Sequence, residues 1–221
     1  MFVGHYAAGF LLKKVDKTVS LGMLFLAVQF VDILFFPFVM LGIEHFKFVP
    51  NFTASTHFDL YYMPYTHSLA GSFFWALVVY LAYKFLPLKT TANKATLALI
   101  MAGAVLSHWF LDLVVHTPDL PLLGDNSPKL GFGIWNSAIA TFLLESVLLA
   151  GAYALYMKET RPVTASGKYA MGVFVAVMLL INANNIFGEP MAHDVTSLSV
   201  TALAAYFIFA GVAFWLDKKR A

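Results

Sequence analysis

The sequence predicts an all-α membrane protein, a single integral domain over residues 1–221 that forms a polytopic helical bundle. We expect about six transmembrane helices and a short N-terminal helix. Two observations predict this fold class. The chain is 60% hydrophobic and only 12% charged, with a mean hydropathy of +0.76, whereas an ordinary soluble domain carries about 25% charged residues. Apolar stretches also recur along the whole chain, which leaves no room for a soluble domain.

Each predicted span is an apolar stretch long enough to cross a bilayer, which takes roughly 20 residues. The N-terminal run, residues 1–12, is too short to span and lacks the basic start and the cleavage site of a signal peptide. We therefore expect a retained helix that either re-enters the membrane or lies on its surface. The connection 44–65 can hold only a short extracytoplasmic cap. The six predicted spans cover residues 19–43, 66–86, 95–116, 132–157, 169–187 and 195–216.

The basic residues predict the orientation of the chain. Only Lys47 and Lys129 fall on one side of the predicted spans. By the positive-inside rule, the other side and both termini are cytoplasmic. No basic patch is interleaved with aromatic residues, so we expect the lipid bilayer and no nucleic acid as a partner. The basic residues on the cytoplasmic side are Lys13, Lys14, Lys17, Lys84, Lys89, Lys94, Lys158, Arg161, Lys168, Lys218, Lys219 and Arg220.

The third predicted span carries an unusual row of polar side chains. His108, Asp112 and His116 are spaced at i, i+4 and i+8, which places all three on one face of a helix. Their neighbours are Leu, Val, Phe and Trp, so burying this row is costly unless something binds it. Imidazole and carboxylate together suit zinc, manganese or iron. The chain has no cysteine, so any metal site must use nitrogen and oxygen ligands.

Further ionisable groups fall at matching depth in other spans. Each costs about 2.5–3.5 kcal/mol on insertion scales, so such groups are functional candidates. No basic side chain lies at that depth to pair with Asp32, Asp112 and Glu145, which calls for a bound metal or for protonation. His67 opens the second span, and His5 approaches the same region if the N-terminal helix re-enters the membrane. The candidate metal ligands are His5, Asp32, His67, His108, Asp112, His116 and Glu145.

Several of these residues have alternative interpretations. Asp32 or Glu145 can be a protonated acid that is hydrogen-bonded to another helix, and His67 can cap a helix at the interface. His5 can lie on a surface helix. The row on the third span can also be an inert polar cluster. The remaining histidines are expected to be ordinary loop residues: His45, His57 and His193.

Four short motifs occur in a fixed order over residues 4–145. They are Gly4-His5, Asp32, Thr66-His67-Ser68 and His108-x-x-x-Asp112, the last followed by Thr117-Pro118. This order resembles the bacterial inner-membrane metal-dependent hydrolase family of the LexA-regulated type. The sequence of ligand types is also similar to that of zinc-dependent phospholipase C, in which histidines and aspartates on helices hold a zinc cluster. The resemblance implies a multi-pass protein of the bacterial inner (plasma) membrane.

The chain also departs from the pattern of that family. The family usually has Asp-x-Asp-His after its first helix, whereas Asp32 is followed by Ile-Leu-Phe. It usually has His-Arg-Gly ahead of Thr-His-Ser, where this chain has Tyr62-Met63-Pro64. The basic pair that would recognise phosphate is therefore missing. His116 and Glu145 can compensate as metal ligands.

The resemblance leads to a hypothesis of metal-dependent hydrolysis. A divalent metal, zinc by preference, would activate water to attack an ester or phosphoester of an amphiphilic, lipid-like substrate. Glu145 or Asp59 would serve as the general base.

Two other classes of function stay open. A divalent-cation or proton-coupled transporter also fits mid-membrane acids and three nearby asparagines, although no repeat is visible and the ligands crowd the outer half. A membrane subunit with His67 and His108 as haem ligands would leave the carboxylates without a role. The three asparagines are Asn182, Asn184 and Asn185.

Overall fold

Helices make up 66% of the structure, a computed structural model that describes residues 1–87, 93–189 and 194–221. Lys89 and His193, which the sequence analysis assigned to a cytoplasmic anchor and to a loop, lie outside the described residues. Eight α-helices occur within the described ranges: α1 (His5–Val15), α2 (Leu21–Val28), α3 (Phe30–Met40), α4 (Leu69–Phe85), α5 (Lys94–Val115), α6 (Ala138–Glu159), α7 (Ala165–Phe187) and α8 (Val195–Asp217).

The prediction of six spans is not confirmed. Of the described helices, α5, α6, α7 and α8 are long and apolar enough to cross a membrane, and α2 with α3 makes a fifth span if this bent pair is counted as one. The pair bends by 50° at Gln29. Helix α4 is apolar but has 17 residues. The helix begins after Ser68, whose hydroxyl accepts a hydrogen bond from the N–H of Gly71. It is shorter than the predicted span because Thr66 and His67 belong to the preceding loop.

Helix α1 is packed inside the bundle and does not lie on its surface. Its contacts are with α2, α5 and α6. Phe10 is fully buried and meets the rings of Phe25 and Tyr156 at centroid distances of 5.3 and 5.2 Å. His5, at the first turn, is also completely buried. Of the two expectations for this segment, the surface-lying helix is therefore wrong.

One end of the bundle gathers basic residues from connections that are distant in sequence. Lys13, near the end of α1, forms a buried ion pair with Asp217 at the end of α8, with 2.7 Å between Nζ and Oδ2. Arg220 donates from Nε to the hydroxyl of Thr160, which ends α6. The ends of α1, α6 and α8 therefore meet. This agrees with the assignment of these basic residues to one side of the bundle.

The opposite end carries two small antiparallel hairpins, so the bundle is not purely helical. Strand β1 (His45–Phe48) pairs with β2 (Phe58–Tyr62), and β3 (Leu120–Pro121) pairs with β4 (Lys129–Leu130). A 3₁₀ helix, Ile134–Asn136, precedes α6. The first hairpin lies in the connection that was expected to form a short cap. It covers a small aromatic core that includes Phe35 of α3 and Phe46 of β1.

Candidate metal centre

Helix α5 presents the predicted row of polar side chains to the interior of the bundle. His108, Asp112 and His116 are 0%, 1% and 2% exposed. The Nε2 atom of His108 lies 3.0 Å from Oδ2 of Asp112, and Nε2 of His116 lies 3.6 Å from the same oxygen. The helical spacing that was visible in the sequence therefore places two imidazoles around one carboxylate.

Three other elements bring further candidate ligands to this row. His5 of α1 has Nε2 at 3.1 Å from Oδ1 of Asp112. Asp32 of α3 has Oδ1 at 3.2 Å from Nε2 of His67 and at 3.6 Å from Nε2 of His108. His67 lies in the loop before α4. The structure thus brings together in one cluster the residues of all four sequence motifs.

Two of the histidines are held in the same way, through Nδ1. His108 contacts the carbonyl oxygen of Val28, the last residue of α2, at 2.8 Å. His116 contacts Oδ1 of Asp119 at 2.8 Å. A carbonyl or an ionised carboxylate can only accept, so Nδ1 carries the hydrogen in both rings. In a neutral imidazole the other nitrogen, Nε2, is then free to bind a cation. Fixing the ring through its outer nitrogen is typical of histidines that bind metals.

The residues present fit a divalent metal ion. Buried polar atoms normally have a hydrogen-bond partner. Nε2 of His108 and Nε2 of His5 lie 3.0 and 3.1 Å from oxygens of Asp112 without the geometry of a hydrogen bond, and Nδ1 of His5 has no hydrogen-bond partner among the described residues. The potential ligand atoms also lie nearly close enough to share one ion, since two atoms that bind the same zinc at about 2.0–2.2 Å are at most about 4.4 Å apart. The ligand atoms of two overlapping groups lie within 4.8 Å of one another: His5, His108 and Asp112, and Asp32, His67 and His108.

Glu145 lies at the edge of the cluster and is held by the backbone of the N-terminal segment. Its Oε2 accepts hydrogen bonds from the N–H groups of Phe2 and Gly4, each at 3.0 Å. The amino group of Met1 lies 2.6 Å from Oδ1 of Asp112. The sequence analysis considered only cationic side chains and missed this partner. Glu145 belongs to neither compact ligand group, which leaves its carboxylate available for proton transfer.

Asp59 lies outside the cluster, and its expected role as a base there is corrected. It stands opposite Lys47 in the first hairpin, and its Oδ2 is 3.3 Å from the lysine Nζ. Its neighbours Phe58 and Leu60 line the central cavity. Successive side chains of a strand point to opposite faces, so Asp59 is directed away from the cavity that its neighbours line.

A cavity of about 210 Å³ adjoins the cluster. The cluster forms its polar end, where the ring of Trp135 packs on His116 with 4.1 Å between centroids. Among its lining residues, Asn185 and Thr201 are exposed, so the cavity opens between α7 and α8. The rest of its wall is mainly apolar and includes Phe35, Phe36, Phe46, Phe58, Leu60, Ile181, Ile186, Leu198 and Ala202.

Three polar residues around the cluster, Tyr206, Asp119 and Glu44, were not among the sequence candidates, and Thr66 was named only as part of the Thr-His-Ser motif. Tyr206 donates from its hydroxyl to Oδ2 of Asp32 at 2.9 Å, and Asp119 accepts from His116. The hydroxyl of Thr66 contacts His67, and the carboxylate of Glu44 accepts a hydrogen bond from that hydroxyl. The i, i+3 spacing of His116 and Asp119 was a usable signal, whereas nothing local connects Glu44 with His67.

Comparison of the chain with family models, with curated proteins and with solved structures finds no match. Function is therefore argued from the site itself. Its features are a buried set of imidazoles and carboxylates, a fixed orientation of three rings, and an apolar cavity that begins at the cluster.

Proposed function

We propose that this protein is a membrane-embedded metal-dependent hydrolase that cleaves an ester or phosphoester of a lipid-like substrate. The observation that carries the proposal is the convergence of imidazole nitrogens and carboxylates at the polar end of an apolar cavity. His5, His108 and Asp112 would hold one ion, and Asp32 with His67 would complete the set or hold a second ion. Zinc suits these ligands, and manganese or iron are the alternatives.

A divalent ion held by this cluster would supply Lewis-acid activation of water and of the bond to be cleaved. The chain's own groups have separate tasks. Glu145 lines the cavity outside the compact ligand groups, so it can accept a proton as general base. Tyr206 and Asp119 orient Asp32 and His116 through hydrogen bonds. The surrounding Phe side chains exclude water from the apolar part of the cavity.

The position of the opening supports a lipid-like substrate. Thr201 is six residues beyond Val195, so it lies about 9 Å along α8 from the start of the helix. Glu189, just beyond the end of α7, is also an exposed lining residue, so the opening extends from the hairpin end of the bundle down its side. An amphiphile in the bilayer can insert its acyl chain there and bring its head group to the cluster. Of the described lining residues, none is Lys or Arg, so a phosphate would depend on the metal, and a carboxylic ester is the simpler fit.

Four helices long and apolar enough to cross a membrane indicate a membrane protein. We place it in the bacterial inner membrane as a multi-pass protein whose C-terminus and whose Lys13 end of α1 are cytoplasmic. The expectation of a cytoplasmic N-terminus is corrected, because the amino group of Met1 lies inside the bundle beside Asp112. This orientation rests on the twelve-to-two division of basic residues. It directs the metal centre and the two hairpins toward the outer half of the membrane.

A divalent-cation or proton-coupled transporter is the second candidate, because Asp32 and Asp112 are carboxylates enclosed by membrane-spanning helices. The three asparagines of α7 do not support a single ion path. Asn182 is fully buried, whereas Asn184 and Asn185 are exposed.

The deciding experiment uses the detergent-purified protein. Hydrolysis is assayed across a panel of ester lipids and phospholipids, with and without a chelator. We expect chelator-sensitive turnover that His108→Ala abolishes. His45→Ala, in the first hairpin and outside the cluster, is the matched control and should retain turnover. If no substrate is cleaved, but metal flux into proteoliposomes depends on Asp32 and Asp112, the transporter replaces the hydrolase.

A further inference from the structure

Two residues outside the predicted ligand set form a hydrogen-bonded chain that ends at His67. The hydroxyl of Thr66 donates to Oε2 of Glu44 at 2.6 Å. The same hydroxyl oxygen lies 2.8 Å from Nδ1 of His67. Oε1 of Glu44 accepts the backbone N–H groups of Tyr65 and Thr66 at 2.8 and 2.9 Å. Both oxygens of this fully buried carboxylate are therefore engaged.

The direction of these hydrogen bonds determines which nitrogen of His67 carries the hydrogen. A threonine hydroxyl has one hydrogen, and in Thr66 it is given to Glu44. The hydroxyl oxygen can then only accept from the imidazole, so Nδ1 of His67 is the donor. In the neutral imidazole Nε2 is then left without a hydrogen, and it is the atom that lies 3.2 Å from Oδ1 of Asp32. The hydrogen bonds from His67 through Thr66 to Glu44 thus direct the lone pair of Nε2 at the cluster.

The backbone places Glu44 for this contact. Gly42 has φ +72°, a left-handed conformation that glycine adopts without strain. The N–H groups of Ile43 and Glu44 both return to the carbonyl oxygen of Phe38 in α3. The turn ends α3 and directs Glu44 inward, beneath the loop that carries Thr66 and His67.

We infer that Glu44 and Thr66 are positioning residues, which fix the orientation and tautomer of His67 so that its Nε2 binds the metal ion. This rests on the proposed metal centre, but it assigns a role to residues that contact no metal themselves. The same arrangement occurs at His116 with Asp119, where the carboxylate accepts directly. At His67 the carboxylate acts through an intervening hydroxyl.

The test replaces Thr66 by Val, which keeps the shape of the side chain and removes the hydroxyl. Zinc affinity of the purified, metal-stripped protein is measured by competition with a chelating dye. Because the loss of such outer hydrogen bonds weakens metal binding about 10–100-fold, we expect that decrease for Thr66→Val and for Glu44→Gln. Thr66→Ser keeps the hydroxyl and should restore most of the affinity.

A buried threonine at the opposite end of the bundle provides the control. The hydroxyl of Thr160 donates to the carbonyl oxygen of Tyr156 and accepts from Arg220. Thr160→Val removes a hydrogen-bonded hydroxyl far from the cluster. It should lower thermal stability and leave zinc affinity unchanged.

A second measurement is independent of turnover and of metal affinity. Nitrogen-15 NMR of histidine-labelled, metal-free protein should show the Nδ1–H tautomer for His67 in the wild type and a redistribution toward Nε2–H in Thr66→Val. If the wild type binds zinc and Thr66→Val binds it equally tightly with an unchanged tautomer, the positioning role is overturned and the metal centre stands. A wild type that binds no zinc overturns both.

Discussion

His5 and His108 stack face to face, with ring centroids 3.8 Å apart and ring planes inclined by only 5°. Each directs Nε2 at a different oxygen of Asp112, at 3.1 and 3.0 Å. Two protonated rings at this separation would repel each other, so at least one of the two imidazoles is neutral and offers its Nε2 to a cation beside Asp112. The N-terminal helix therefore contributes to the cluster as directly as α5 does.

Asp112 is expected to be indispensable for metal retention, since both histidines of the stack and His116 converge on it. The purified protein should contain at least one transition metal by elemental mass spectrometry, and Asp112→Ala should release it. A metal ion present at a free concentration of 100 times its dissociation constant adds about 2.7 kcal/mol to the free energy of unfolding. Losing the ion should therefore lower the melting temperature. A wild-type protein that is metal-free and fully stable would favour protonated carboxylates instead.

Glu145 and Asp59 are expected to differ in their effect on turnover. Glu145→Gln should abolish hydrolysis and leave metal content close to that of the wild type, because Glu145 lines the cavity without joining the compact ligand groups. Asp59→Asn is the control. It removes a surface ion pair with Lys47, and such pairs contribute about 0–1 kcal/mol. Loss of the metal in Glu145→Gln would make Glu145 a ligand and leave the general base unassigned.

The cavity between α7 and α8 is expected to select the length of the acyl chain. Ala202 lines the cavity, whereas Ala204 on the same helix is exposed and lies outside the lining. Ala202→Trp should lower hydrolysis of a long-chain ester about 10-fold or more and change hydrolysis of a short, water-soluble ester little. Ala204→Trp should behave like the wild type. Equal losses on both esters in Ala202→Trp would argue against an acyl chain in this cavity.

The orientation in the membrane can be tested without any assay of function. Reporter fusions after Ala221 and within residues 118–128 should report opposite sides, with Ala221 cytoplasmic, because the basic residues divide twelve to two. Both reporters on the same side would contradict the predicted topology and the placement of the metal centre toward the outer half.

Local periodicity explains which parts of the site were predictable. His108, Asp112 and His116 lie within one helix, and the spacing of an α-helix alone aligns them on one face. The apolar stretches likewise follow from composition, which is why helices α5 to α8 fall close to the predicted spans. The number of spans could not be predicted from composition. Hydropathy does not show that α2 and α3 meet at a 50° bend, or that Thr66 and His67 lie in the loop before α4, where they reach the cluster.

The sequence by itself therefore determined a helical membrane protein with one row of metal-ligand types on one helix. Only the tertiary structure decided which distant residues complete that row. The burial of α1 brings His5 against His108, and the turn after α3 brings Glu44 beneath Thr66. The pairing of β1 with β2 opposes Asp59 to Lys47, away from the cavity. Side chains far apart in sequence meet only through packing, and packing depends on how whole elements bury their apolar faces, which no local pattern specifies.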